Sequence, residues 1–142
     1  MVNQPQFERE ALELHDSDVV RVDVTNGRAE IAVSPGIVHR SIGIPGVNAG
    51  TEWTIDLTIV IDSVVVEGEF GEFPCELTDG TLSVDGKIQS NCIGLPLDRA
   101  GIVILQLQPM WSEHSVTFRG SRIQIIKTGE PKYLQDFRSL TS

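Results

Sequence analysis

Hydrophobic positions in this chain recur at every second residue. In VVRVDV, Val20, Val22 and Val24 alternate with Arg21 and Asp23, and in RAEIAV the residues Ala29, Ile31 and Val33 share one face. Successive side chains of a strand point to opposite faces, so this pattern predicts half-buried strands. Asn26-Gly27 stands between the two runs. Both residues tolerate the positive φ that a two-residue turn requires, so the runs are expected to pair as a hairpin. In EWTIDLTIVIDSVVVEGEF, Trp53, Ile55, Leu57, Ile59 and Ile61 share a face opposite Thr54, Asp56 and Thr58. That run exceeds an average strand, and a bend is expected near Asp62-Ser63.

Turn signals divide the rest. Asp79-Gly80 and Asp85-Gly86 cut the middle into short strands. IVILQLQ is apolar enough for a central strand. SVTFRGSRIQIIKTG is another, with a bulge at Gly120, where the apolar face changes register between Phe118 and Ile123. The two prolines and four glycines of residues 35–50 predict a long loop, the first place to look for a binding surface. NCIGLPLDRAG reads as a second irregular connection. In EPKYLQDFRSL, Pro131 suits a first helical turn, and Tyr133, Leu134, Phe137 and Leu140 have helical spacing. A short helix is expected there and another over 7–14. With no alternation of strand and helix, the expected fold is one all-β domain over 1–142. Its architecture is an antiparallel sandwich or partly open barrel with a short C-terminal helix.

Composition narrows the function. A chain of 142 residues can bury a core without a disulfide or metal staple. Its 11 basic and 20 acidic residues give a net charge of −9. Phosphate surfaces attract Lys/Arg clusters, and none is present, so nucleic acid and membrane are not expected as partners. A basic protein partner is electrostatically favoured, and a homo-oligomer stays open. The N-terminal stretch lacks a basic n-region and an apolar h-region, and no apolar run approaches ~20 residues. The expected location is cytoplasmic, with Cys75 and Cys92 as reduced thiols.

The candidate chemistry is sparse. His15-Asp16-Ser17 combines proton-transfer side chains, but neighbours on a strand diverge, and Asp16 and Ser17 suit a turn that launches the strand. His39-Arg40-Ser41 lies in the glycine-rich segment, where Arg40 could fork onto a carboxylate or phosphate, or pair with one of the chain's own acids. The histidines His15, His39 and His114 lack the compact spacing of a metal motif, and there is no GxSxG elbow or Walker lysine. No metal or cofactor is therefore expected. Trp53 continues an apolar strand face, whereas Trp111, after Pro109 in a turn, is expected to be exposed.

Five blocks taken together carry a resemblance. They are LHDS at 14–17, VHRS–G–PGV at 38–47, Trp53, NCIGLPLD at 91–98 and TGEPKYLQDF at 128–137. In order and spacing the chain resembles a family of small bacterial β-rich proteins without an assigned activity. The resemblance implies a single-domain cytosolic β protein and transfers no catalytic residue. It points to His15, Asp16, His39, Arg40, Trp53, Tyr133 and Asp136 as binding candidates. The leading expectation is a binding or interaction module. The alternative is a small-molecule or metal-dependent enzyme whose site gathers His15, Asp16, His39 and Arg40.

Overall fold

The structure is a computed structural model that describes residues 8–138. Among the described residues, eleven strands form one antiparallel sheet and there is no helix. The sheet closes on itself in the order β4-β10-β9-β6-β2-β3, with β3 returning to β4. These six strands are β2 (Asp18–Thr25), β3 (Arg28–Ser41), β4 (Gly50–Asp62), β6 (Cys75–Val84), β9 (Leu97–Pro109) and β10 (Val116–Lys127). Of the two architectures expected, the molecule is thus a barrel, and it is closed. The barrel is filled by the alternate side chains that the period-two pattern marks. Ile31, Ile59, Ile61, Leu82, Val103, Leu105, Leu107, Phe118 and Ile123 are fully buried. Burying one such side chain contributes about 1.5–3 kcal/mol, so this layer dominates the stability of the fold.

The turn chemistry acts as its residues dictate. Asn26 (φ 52°) and Gly27 (φ 74°) close the β2–β3 hairpin, and Asp85 (φ 51°) and Gly86 (φ 81°) close the next between β6 and β7 (Lys87–Ser90). β4 ends at Asp62, and Ser63 turns the chain with φ 53° into the short β5 (Val65–Glu67). The pairing of β10 with β9 shifts between Gly120 and Arg122, the expected bulge. Asp79-Gly80, by contrast, lies inside β6, where it marks a register shift rather than a turn. In β2 a shift between Val19 and Arg21 buries Val19 and leaves Val20 and Val24 exposed.

Three segments differ from expectation. β3 runs on through residues 36–41, so the long loop shrinks to 42–49. Residues 9–13 form β1 (Arg9–Glu13), not a helix, and 92–95 form β8 (Cys92–Leu95) within the expected irregular connection. Among the described residues the C-terminal helix is replaced by a strand: Lys132–Phe137 is β11, laid on the first half of β4, and Leu140 lies outside the described residues. An edge strand draws its stability from backbone hydrogen bonds to its neighbour, and helical spacing of a few apolar residues does not outweigh a vacant sheet edge.

These corrections have one cause. β3 and β4 are longer than the barrel is tall, and their protruding halves carry a second layer in the order β11-β4-β3-β1-β8. β3 enters it through a bulge between Val33 and Gly36 opposite β4. One extra residue reverses the inward set. Ala29, Ile31 and Val33 face the barrel core before the bulge, and Val38 does so after it, with Leu12 and Ile93 beside it. His39 therefore turns to the outer face of the layer.

Candidate functional site

The outer face of the second layer holds a buried ionisable cluster. His39 pairs in register with Ala11 of β1 on one side and Glu52 of β4 on the other. Side chains of paired residues share a face, which sets His39 beside Glu52, while Glu13, two residues along from Ala11, joins them on the same face. The His39 Nε2 atom lies 3.4 Å from Glu13 Oε2 and 3.5 Å from Glu52 Oε1. His39 is 2 % exposed, and among the described residues neither ring nitrogen has a hydrogen-bond partner. A buried polar group left in this state is uncommon and costs about 1–3 kcal/mol. Glu52 is buried too, and Gln135 of β11 donates from Nε2 to its Oε2, which leaves Oε1 facing the imidazole. Glu13 lies at the wetter flank.

A roof covers the cluster. Phe137 meets the His39 ring edge-on, with centroids 4.8 Å apart. The 42–49 loop is tied down by Ser41, whose Oγ donates to the Ala49 carbonyl and accepts from the Gly43 amide, and by the Asn48 side chain, which accepts from the Ile44 amide. Gly46 (φ +83°) wedges between His39 and Cys92; a Cβ there would fall 2.9 Å from the Cys92 sulfur. Burial and the nearby Glu13 carboxylate push the Cys92 thiol up, away from the reactive thiolate. Cys75, raised by burial and Asp18, is likewise a free thiol.

The other face of the same layer gathers four of the seven candidates. The Arg40 guanidinium stacks 4.4 Å over the Trp53 ring and donates from Nε to Glu10 Oε2 at 2.9 Å. Trp53 packs edge-on to Tyr133 at 5.5 Å, and the Tyr133 hydroxyl donates to Asp136. Lys127 donates to the second Glu10 oxygen. Burial pushes the Glu10 carboxyl up, but the hydrogen bonds from Lys127 and Arg40 outweigh it and hold the group below the usual carboxylate range. Arg40 is thus engaged by the chain's own acid and aromatic ring.

His15 and Asp16 stand apart from both clusters. They occupy the β1–β2 turn, with Asp16 at φ 70°, their side chains about half exposed and the His15 Nδ1 to Asp16 Oδ2 distance 3.3 Å. Ser17 is structural: its hydroxyl donates to the Glu13 carbonyl and accepts from the Ile37 amide. The set His15, Asp16, His39 and Arg40 does not gather. His39 and Arg40 point to opposite faces of β3, and His15 lies in an exposed turn.

Sequence reasoning missed Glu13 and Glu52, which no linear motif links to His39. A different surface was also passed over. The segments 69–76 and 109–114 wall an open groove lined by Glu69, Glu72, Glu76, Glu113, His114 and Trp111, with no Lys or Arg among the lining residues. Trp111 is 97 % exposed, and its φ is 65°. A bulky residue in the left-handed region costs about 1–2 kcal/mol, so the fold bears both strain and bare aromatic surface at one position.

No protein-family model, curated protein or solved structure matches the chain.

Proposed function

We propose that this protein is a binding module that takes a basic segment of another protein into the acidic groove that Trp111 lines. The observation that carries this reading is Trp111 itself, strained, almost wholly bare, and lining one groove with four glutamates and no Lys or Arg. Exposed tryptophans dominate protein interfaces when a partner covers them, and their rings attract Lys and Arg. A net charge of −9 steers a cationic partner inward and repels nucleic acid. The same charge disfavours a second copy of this chain in the groove, since it would bring glutamates against glutamates.

Capture from the native host lysate, read by mass spectrometry, tests the reading. Wild-type bait is expected to retain a basic protein, and retention should fall steeply between about 50 and 500 mM salt as the charges are screened. W111G should weaken capture by about 2 kcal/mol or more, some 30-fold in Kd. Its stability should stay within about 1 kcal/mol of wild type, because no packing is lost and the relief of the positive φ is offset by the greater unfolded-chain entropy of glycine. Capture that is indifferent to W111G and to salt would reject the proposal.

A further inference from the structure

We infer that Glu13, His39 and Glu52 form a binding site for one first-row divalent transition-metal ion. This is independent of the groove and of any partner. The first ground is the stranded imidazole: His39 is 2 % exposed, has no hydrogen-bond partner on either nitrogen among the described residues, and aims Nε2 at two carboxylates from two other strands. The donor atoms all lie within 4.8 Å of one another.

The second ground is geometric. Ligands bound at about 2.1 Å around a tetrahedral ion stand roughly 3.4 Å apart. The two His39–carboxylate separations, 3.4 and 3.5 Å, have that value. They are long for charge-assisted hydrogen bonds, which run about 2.7–2.9 Å.

Charge supplies the third ground. A neutral imidazole and two carboxylates balance a dication, whereas a protonated His39 leaves one negative charge over in a cluster whose imidazole and Glu52 are both buried. The imidazole donor favours zinc, iron, cobalt or nickel over magnesium and calcium, which prefer all-oxygen shells. Gln135 behind Glu52 acts as a positioning residue of the kind that orients metal ligands. Three protein donors would leave one position of a tetrahedral ion for water.

The test is titration of the chelator-treated full-length chain with Co(II), followed by visible absorption and by metal content after dialysis. One equivalent should bind, Zn(II) should displace it, and millimolar Mg(II) or Ca(II) should not. E13Q and E52Q should each weaken binding more than 100-fold, Q135A by about 10–100-fold, and H15A and W111G not at all. H39L should abolish binding, and circular dichroism checks that each variant remains folded. E13Q, at the wetter edge, keeps the test decisive even where H39L does not fold. The inference is overturned if the folded wild type retains no Co(II) or Zn(II), if Mg(II) or Ca(II) competes, or if folded E13Q binds as wild type does.

Discussion

Single residues here often serve two neighbours at once, and Glu10 shows what that does to stability. One carboxylate oxygen accepts from Arg40 and the other from Lys127, so the ionised form is favoured in the fold. Its pKa is depressed on folding, so its contribution is present above the unfolded value and is lost as pH falls through the folded one. E10Q should therefore cost about 1 kcal/mol at pH 7, the scale of a partly exposed ion pair. The gap from wild type should close below about pH 4, near the ordinary glutamate pKa, as denaturant melts at several pH values would show. A gap that persists unchanged at pH 3 would mean that packing, not charge, holds Glu10. At this scale the sequence was partly legible. Arg40 and Trp53 could be named as candidates, but that Arg40 stacks on Trp53 while His39 faces away depends on the bulge at 34–35. That one-residue insertion cannot be seen without its partner strand.

Strands and turns were read better than the connections between them. Asn26-Gly27, Asp85-Gly86 and the bulge at Gly120 each rest on a local conformational demand that only a few residues meet, and each is present. Gly120 can be tested directly. A Cβ there would fall 2.4 Å from Ile61 Cγ2 and 2.5 Å from the Asp62 carbonyl oxygen, both held in β4. G120A should destabilise the fold by about 1–3 kcal/mol in chemical denaturation, the usual cost of overpacking. A neutral effect would show that β10 can shift away from β4 at little cost. β11 was misread because its residues serve no inward face: Lys132–Asp136 are exposed, so neither alternation nor any core demand revealed a strand. The loop over 35–50 was overdrawn for a related reason. Proline and glycine ordinarily punctuate, yet Gly36 sits within β3 because a Cβ there would press on Ile55, Leu57 and Leu12.

At the scale of the whole molecule, the barrel is the support and the second layer the elaboration. Residues along β3 and β4 belong to both, so the buried cluster at His39 rests on strands anchored by the barrel core. A site built on such strands is held more rigidly than one on loops. The candidate metal ligands, Glu13, His39 and Glu52, come from three strands, β1, β3 and β4, and stand far apart along the chain, which is why no compact spacing could announce them.

The ring of six strands is not equally strong all the way round. β3 meets β4 through ten residue pairs, but β2 meets β6 through two, Asp18 with Glu76 and Val19 with Cys75. The first sets two acids directly opposite each other, an arrangement that weakens a pairing. This narrow seam is where the barrel should unzip first. Hydrogen–deuterium exchange should find the Leu77 amide, which donates to the Ser17 carbonyl, opening well before the amides shared by β3 and β4. Equal protection at both places would mean that the ring opens only by global unfolding. Glu76 also lines the acidic groove. A cation seated there would quiet the repulsion with Asp18, so that a docked partner would act as a clasp on the barrel and slow the exchange of a strand pair it need not touch.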